Sequence, residues 1–426
     1  MDYPKIRYIE ASQVTLDGQN LISLRDPENL SGNMLFVLPE ATYAISLFDG
    51  NHSLEEIQSK FAERFGVEVS QDEIRELISR LDENYLLENE NYHNFMSKLT
   101  EEFRRAKVRQ CSHAGLSYPE DGAALRSSID KYFNLADESH PINSPNGKVT
   151  GIVSPHIDYA RGGKAYALAY RELRGIATKG PLTFVILGTS HYARAENPFI
   201  MTKKSFKTPF GEIAVNTEFV DEIAGSMSWD VYEGEISHRQ EHSIEFQVVF
   251  LQYLFGAAEN IRIVPVLCNS FQRLVEEGKS PSADERVSLF LKKLREMISE
   301  RGDTKKGGNK GDNNRSDWGT IITIVSADMA HFGPKFGDPD PVNEDTLEWI
   351  KSRDMRTLSY TERIDSEGFY KSIEEEKDKR KICGLAPIYA LLYSTTAKSA
   401  KVLHYEQALE PDTGSVVSFA SLGIYD

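Results

Sequence analysis

Hydrophobic residues recur at helical spacing in two segments of the first 95 residues, and each segment opens with a capping box. The first box pairs Ser53 with Glu56 and the second pairs Ser70 with Glu73. We therefore predict helices that begin just after the two serines. Together with β edges on either side, these helices indicate a small α+β winged-helix domain over residues 1–95.

A third apolar segment, Met34–Phe48, precedes these helices, and Tyr85–Leu87 could begin a short wing after them. Winged-helix domains often read DNA with a helix in the major groove. Here residues 73–83 carry four acidic side chains and two basic ones, so this helix is poorly suited to bind in the major groove of DNA.

After a charged helical connector at residues 96–110, β-branched runs alternate with helical stretches to the end of the chain. This alternation is typical of an α/β domain with a mainly parallel central sheet flanked by helices, which we place at residues 111–426. Residues 302–317 have almost no apolar side chains, so we predict a solvated, mobile loop there. The clearest strands are Thr150–Val153, Thr183–Leu187, Ile261–Val266, Thr320–Val325 and Val416–Phe419.

The net charge is −16, from 49 basic and 65 acidic residues, which argues against a nucleic-acid partner held by phosphate contacts. The three cysteines have no CxxC spacing, so a disulfide framework or a zinc knuckle is not indicated and a reducing compartment is favoured. The chain does not start with a signal-peptide pattern, and no apolar run approaches the ~20 residues that span a bilayer. We expect a cytoplasmic protein with no membrane partner.

Three of the predicted strands lead directly into histidines. GIVSPH ends at His156, FVILGTSH ends at His191 and IITIVSADMAH ends at His331. Because the carboxyl ends of parallel strands share one edge of a sheet, the three side chains converge there if the strands are neighbours. Neutral imidazole suits iron, copper and zinc. The sequence therefore predicts a metal site, with Asp328 as a direct ligand or as a side chain that orients an imidazole.

Two other interpretations stay open for these residues. Each histidine could be an ordinary loop or capping residue. A metal-free hydrolytic site could instead use Ser154, Ser190 or Ser326, which lie close to the histidines in the sequence. No G-x-S-x-G elbow occurs, which argues against a serine hydrolase.

The segment His238–Gln247, HRQEHSIEFQ, adds charged groups to a helix that is otherwise apolar. Glu241 and Glu245 fall on one helical face, and two unpaired carboxylates on a buried helix would be costly. We therefore expect them in a cleft or hydrogen-bonded. The spacing is not H-E-x-x-H, which excludes the zinc-protease pattern. We expect Glu241 and His242 to bind substrate or orient a ligand, with helix capping by Glu241 as the alternative.

Eight motifs, in this order along the chain, resemble those of the Memo family, and the resemblance runs from about residue 111 to the C-terminus. An ordered set of this size is far more specific than any one of its members. The motifs are SHAGLSYP (112–119), SPHIDYARGG (154–163), LGTSHYARAENPF (187–199), TPFGEI (208–213), EHSIEFQ (241–247), IVPVLC (263–268), SADMAHFG (326–333) and ICGLAPI (382–388).

The resemblance implies a fold similar to that of class III extradiol dioxygenases, which are non-haem iron enzymes, and iron or copper in the cleft. His156 and His191 match the histidines of the family's A-P-H and G-x-S-H segments. Asp328 and His331 match the pair in S-S-D-x-x-H. We expect the first two to hold the metal and the second two to be further ligands or an acid and base.

One segment departs from the family pattern. Some animal members of the family place a cysteine ligand in the segment that here reads YEQALEPDTGSVVSF, which contains no cysteine. Glu410 lies near the equivalent place, so the third ligand could be Glu410, Asp328 or Glu241. Two histidines and one carboxylate would favour Fe(II) over Cu or Zn. Cys383, in ICGLAPI, matches a cysteine of the family and is interpreted as the start of a packed helix.

Within residues 1–95, the stretch from LISLRDPENL to HSLEEIQSKF resembles the PqqD-like peptide-binding module, with its DG-x-x-(S/T)-x-x-E-I step. This resemblance implies that the domain binds a peptide by strand addition. A role in dimerisation or packing is the alternative interpretation.

Two functions are consistent with these predictions. The first is a non-haem metal-dependent, dioxygenase-like oxidoreductase. Similar bacterial and archaeal proteins are protein B of the AmmeMemoRadiSam system, which implies a radical SAM protein and an AMMECR-type protein as partners. The second is a binding protein without turnover, either a metal carrier or a peptide-binding scaffold.

Overall fold

The computed structural model describes residues 1–139, 147–176, 180–192, 195–256, 258–299 and 318–426. The chain folds as two compact units, Met1–Arg105 and Ala106–Asp426. The boundary expected at residue 95 falls inside a helix of the first unit. The predicted mobile loop at 302–317 lies outside the described residues. In the described ranges, no helix is both long and apolar enough to cross a membrane.

The first unit combines a three-stranded antiparallel sheet with four helices around its own apolar core. Both predicted capping boxes form, since the hydroxyl groups of Ser53 and Ser70 each accept a hydrogen bond from the backbone three residues on. Where a wing was expected, Leu87 makes an isolated β bridge with Ile6. The elements are β1 (Glu10–Leu16), β2 (Gln19–Arg25), β3 (Leu35–Val37), α1 (Pro39–Ser46), α2 (Leu54–Phe65), α3 (Gln71–Glu83) and α4 (Glu90–Arg105).

The second unit is a mixed α/β domain with one large sheet. The strands are β4 (Val108–Arg109), β5 (Val149–Ser154), β6 (Leu182–Thr189), β7 (Phe199–Met201), β8 (Ser205–Thr208), β9 (Gly211–Val215), β10 (Ile261–Cys268), β11 (Thr320–Ser326), β12 (His331–Phe332), β13 (Ser399–Glu410) and β14 (Ser415–Tyr425). Their order is β12-β14-β5-β11-β6-β10-β9-β8-β4, with β13 beside β14 and β7 beside β10.

The centre of this sheet is parallel, because β5, β11, β6 and β10 all run in the same direction. All five strands predicted from the sequence are confirmed, although the last lies within β14, which runs antiparallel to β5. Ser326 at the end of β11 is in register with Ser154 of β5 on one side and Gly188 of β6 on the other. The loops that follow these three strands therefore open at the same edge.

Helices cover the sheet in two groups. One group consists of α5, α6 and α8, and the other includes α7, α10, α12 and α13. The helix α8 is buried along most of its length, from Ser243 to Gln252. The helices of this unit are α5 (Gly122–Ser139), α6 (Tyr159–Arg171), α7 (Thr217–Ser226), α8 (His242–Phe255), α9 (Gln272–Glu277), α10 (Glu285–Ser299), α11 (Glu344–Glu362), α12 (Ser366–Glu374) and α13 (Leu385–Ser394).

Candidate metal centre

The predicted histidines lie at the shared carboxyl edge of the parallel strands. His156 lies two residues after β5, His191 lies two residues after β6, and His331 begins β12 in the segment that follows β11. The ring centroids of His156 and His191 are 4.9 Å apart. His331 packs edge-on against the ring of Phe336 at 5.0 Å. Burial and then His191 lower the pKa of His156, and His331 lies close enough to lower it further. The structure thus brings the first two rings into contact, with the third nearby.

Hydrogen bonds define the tautomers of the two contacting histidines. Nδ1 of His156 lies 3.2 Å from the carbonyl oxygen of Ser326, and Nδ1 of His191 lies 2.9 Å from Oε1 of Glu241. A carbonyl or carboxylate oxygen can only accept, so each Nδ1 carries the hydrogen and donates it. In each neutral ring the lone pair is therefore on Nε2, where a metal can bind. Burial would lower the pKa of His191, but Glu241 outweighs it and raises the pKa, so a metal would have to displace a proton there.

Cys383 joins this cluster, besides standing just before the packed helix α13 that the sequence predicted. Its Sγ atom lies 3.2 Å from Nε2 of His156. One donor atom each from His156, His191 and Cys383 all lie within 4.8 Å of one another. The segment around Glu410 contains no cysteine, and the cysteine that lies beside the two histidines is Cys383, two residues before α13.

The spacing of these donors fits a metal ion. Two ligands with bonds of about 2.0–2.3 Å to a tetrahedral ion are themselves about 3.5 Å apart. A glycine lets the sulfur come this close, since a Cβ atom on Gly384 would lie 2.5 Å from the carbonyl oxygen of Asp328. Burial raises the pKa of the Cys383 thiol, so ligation would require a metal to displace its proton.

Asp328 is a buried carboxylate beside His156. Its Oδ1 atom accepts a hydrogen bond of 2.9 Å from the amide of His156, and its Oδ2 atom lies 3.6 Å from Nε2 of the same residue. Burial raises the pKa of Asp328 to about 6, although nearby His331 opposes the rise. Asp328 thus holds the backbone of a predicted ligand and stands next to the donor cluster as a group that can carry a proton.

Glu241 orients His191 from two directions and caps α8. Its carboxylate accepts from the amide of His191 at 2.7 Å, from Nδ1 of the same residue and from the amide of Ser243 at 3.1 Å. Burial alone would raise the pKa of Glu241, but His191 and then His242 lower it. Because both oxygens are already engaged, we interpret Glu241 as a carboxylate that supports a ligand rather than as a ligand itself.

His242 stacks on His191, with ring centroids 4.7 Å apart, and its Nδ1 atom lies 3.3 Å from Oε1 of Glu241. These three residues form a second group whose donor atoms lie within 4.8 Å of one another. Burial lowers the pKa of His242 well below its ordinary value, so the ring is neutral near pH 7. His242 therefore adds a neutral imidazole to the wall of the site.

Glu410 lies outside both groups of donors. Its Oε1 atom accepts from Arg161 at 2.6 Å, and both of its oxygens lie 2.9 Å from Nζ of Lys335. Two cations thus hold the carboxylate that the sequence offered as a possible third ligand.

The sequence analysis missed the partner of Glu245. Arg109, itself fully buried, forms an ion pair with Glu245 and also donates to the backbone carbonyls of His238 and Glu241. The hydroxyl of Tyr118 donates to the same carboxylate. The expectation that a buried carboxylate here is hydrogen-bonded is met, and the sequence signal for its partner was a basic residue three positions before the motif that begins at Ser112.

A family comparison agrees with this architecture. The family model described as Memo-like protein matches residues 109–279 and 305–423.

The chain belongs to the Memo-like protein family. A "MEMO1 family protein" of Aquifex aeolicus is 28% identical over 425 residues, which is 99% of this chain and 100% of that protein. One from Thermococcus onnurineus is 30% identical over 324 residues, 74% of this chain and 98% of that protein. One from Thermus thermophilus is 23% identical over 370 residues, 87% of this chain and 98% of that protein.

These alignments locate the Memo-like part of the chain. The family match begins at residue 109, and the Thermococcus relative is covered almost completely by three quarters of this chain. The second unit therefore corresponds to the shared Memo-like domain and carries every residue of the candidate site. The first unit is additional to that domain, and the Aquifex relative matches this chain along nearly its full length.

Proposed function

We propose that this Memo-like protein binds one divalent transition-metal ion through Nε2 of His156, Nε2 of His191 and Sγ of Cys383. The clustering of three donor atoms within 4.8 Å carries this proposal. The hydrogen bonds from both Nδ1 atoms support it, because they hold each imidazole in the tautomer that a metal requires. Three protein ligands would leave a coordination position open, as catalytic sites do.

Fe(II) is the ion we propose first, with Cu and Zn as alternatives. The resemblance to the Memo family, whose fold is similar to that of non-haem iron enzymes, supports iron, and Asp328 supplies a buried carboxylate 3.6 Å from Nε2 of His156. A thiolate from Cys383 is a softer donor than a carboxylate, which widens the set of ions that fit.

The activity we propose is that of a non-haem oxidoreductase, with a radical SAM protein and an AMMECR-type protein as partners. When bound, the ion would supply Lewis-acid or redox chemistry at its open positions. The chain itself supplies groups that can hold or move a proton beside the cluster: Asp328, His331 and His242. Among these, Asp328 has a pKa raised to about 6 by burial, which suits proton exchange near neutral pH.

A metal carrier without turnover is the second candidate, and the partial exposure of the cluster favours it. His156 is only 2% exposed, but His191 is exposed and Cys383 is half-buried. An ion held at an accessible site of this kind could be passed to a partner, which delivery requires.

The experiment is anaerobic purification of the full chain, followed by measurement of bound Fe, Cu and Zn. We expect one metal ion per chain and its loss in His156→Ala, His191→Ala and Cys383→Ser. Cys111→Ser is the matched control, because it also removes a half-buried thiol but leaves the donor cluster intact. Retention of the metal by Cys383→Ser would refute the ligand set. Uptake of O₂ by the loaded protein would favour the oxidoreductase over the carrier.

For the first unit, we propose a PqqD-like winged-helix module that binds a peptide by strand addition. The free edges of its small sheet support this, since within the described part of the unit β1 and β3 each pair only with β2. The test is titration of the full chain with peptides encoded near its gene, read out by fluorescence anisotropy. Saturable binding that is lost when proline replaces Val14 in β1 or Phe36 in β3 would support the module. If no peptide shows saturable binding, the peptide-binding role is wrong and a packing role remains for the first unit.

A further inference from the structure

Asp354 is a fully buried carboxylate in the middle of α11. One of its oxygens pairs with Arg380, which is also fully buried. The other oxygen accepts from the hydroxyl of Ser418 at 2.5 Å and from that of Tyr405 at 2.9 Å. We call these four residues the Asp354 network. A buried ion pair of this kind is a weak source of stability in itself, because desolvation of the two charges offsets most of their attraction. Its presence calls for another explanation.

Two residues of the Asp354 network, Ser418 and Arg380, form hydrogen bonds with the loop that leads to His331. Ser418 holds residues 329–330 by two hydrogen bonds of its own backbone, at 2.7 and 2.9 Å, and its hydroxyl, which donates to Asp354, also accepts from the amide of Ala330 at 2.9 Å. The carbonyl oxygen of Arg380 accepts from the amide of His331 at 2.7 Å. Asp354 therefore joins the two residues that together hold this loop in place.

The same network holds a strained segment that leads to Cys383. The φ angles of Lys377, Asp378 and Lys381 are +54°, +48° and +52°. They lie in the left-handed region, which residues with a Cβ atom rarely adopt. Such a conformation persists only where its surroundings over-determine it. Arg380 lies within this segment, so its buried side chain anchors the strained backbone three residues before the cysteine.

The two loops meet at the proposed metal ligands. The amide of Gly384 donates to the carbonyl oxygen of Asp328 at 3.0 Å, and Sγ of Cys383 lies 3.6 Å from the same oxygen. A shift of either loop would therefore change the distance between the sulfur and His156.

We propose that Asp354 is a positioning residue for the metal centre, which it serves by locking the loop of His331 to the segment of Cys383. This inference rests on the ligand set proposed above. In this role Asp354, a buried carboxylate remote from the ligands in sequence, sets the distance between the sulfur of Cys383 and the imidazole of His156.

Two hydroxyl deletions give a matched test in the full chain. Ser418→Ala and Tyr405→Phe each remove one hydrogen bond to Asp354, but only Ser418 continues to the loop of His331. The probe is Co(II), titrated by its thiolate charge-transfer absorption. We expect Ser418→Ala to weaken Co(II) binding by about 10–100-fold and to reduce that absorption, as loss of an outer-sphere partner does. Tyr405→Phe should retain both. Asp354→Asn should resemble Ser418→Ala, with the larger effect.

Equal Co(II) affinity and equal absorption in Ser418→Ala and the wild type would overturn the proposal, whatever the change in melting temperature. A second readout works without metal and separates this inference from the ligand set. In the metal-free protein, Ser418→Ala should speed hydrogen exchange of the His331 and Gly384 amides relative to those of β6, while Tyr405→Phe should not. If the wild type binds no Co(II), the proposed ligand set fails, and unchanged exchange in Ser418→Ala would then sink the positioning role as well.

Discussion

Glu241 and Glu245 lie four residues apart at the start of α8 and are both buried, yet they serve different parts of the molecule. Glu241 is the residue before the helix, with an extended backbone at φ −67° and ψ 121°, and it faces His191 and His242. Glu245 lies inside the helix and faces Arg109. The comparison teaches that the partners of a buried carboxylate, rather than its burial, decide its role.

The charges opposite the two carboxylates also differ in kind. Arg109 is a permanent cation, so the pair it makes with Glu245 is present at any pH at which the carboxylate is ionised. His191, opposite Glu241, is an imidazole that can gain or lose a proton and that can bind a metal only when it is neutral. We therefore expect substitutions of Glu245 to affect folding and those of Glu241 to affect metal binding.

The largest expected effect is that of Glu245→Ala on stability. It would leave Arg109 buried without its partner, which destabilises a protein by about 3–5 kcal/mol. Urea unfolding of the metal-free chain measures the loss. The protein that remains folded should still bind metal with wild-type stoichiometry. A stability within 1 kcal/mol of the wild type would contradict this role of Glu245.

Glu241→Gln should have the opposite profile. The neutral amide cannot accept hydrogen bonds at both of its atoms, so the orientation of His191 is weakened, and we expect a loss of metal affinity of about 10–100-fold. The stability should fall by only about 1 kcal/mol, the usual effect of losing a helix cap. Asn216→Ala is the control, because it removes the cap of α7, away from the donor cluster. Equal loss of metal affinity in both variants would mean that helix capping, not histidine orientation, explains the result.

The pH dependence of the unfolding free energy should also reveal the role of Glu245. Burial alone would raise the pKa of Glu245, but Arg109 outweighs it and the pKa is lowered from 4.5 to about 2. A carboxylate with a lower pKa in the folded state stabilises the fold above its ordinary pKa, and this contribution is lost as the pH falls toward 2. The unfolding free energy of Glu245→Gln should therefore depend less on pH between 4.5 and 2 than that of the wild type.

The buried His238 also makes the stability depend on pH, in both proteins of that experiment. Burial lowers the pKa of His238 from 6.5 to about 3, so the folded state resists its protonation and loses stability as the pH falls below 6.5. Wild type and Glu245→Gln share this loss. Chemical denaturation at a series of pH values gives both slopes, and parallel curves below pH 4.5 would show that Glu245 contributes nothing of the kind.

The sheet and two of the proposed ligands could be predicted because their signals are local. A strand of apolar residues that ends in a histidine can be recognised from the sequence alone, and parallel strands must present their ends at one edge. β5, β6 and β11 proved to be neighbours, so His156 and His191 came together. His331 followed the same rule less closely, because it lies in a short additional strand beyond the loop.

Cys383 and Arg109 could not be predicted, because long-range contacts define their roles. The sequence ICGLAPI reads equally well as the start of a packed helix, which it also is. The donor role that we propose for its cysteine depends on the strained turn before it and on the close approach of Gly384 to Asp328. Arg109 stands in a two-residue strand, too short to show a pattern, and its partner is 136 residues away.

The smallest expected effect is that of Glu410→Gln. Comparison with Glu241→Gln distinguishes a carboxylate that only lies near the site from one that orients a proposed ligand. Glu410 is paired with two partly exposed cations, Arg161 and Lys335, and such pairs contribute only about 0–1 kcal/mol. We expect stability to change by less than 1 kcal/mol and metal affinity to stay within about twofold of the wild type. The measurement is metal titration beside Glu241→Gln under identical conditions. A loss of affinity as large as that of Glu241→Gln would show that Glu410 reaches the metal after all, and the third ligand would then have to be reassigned.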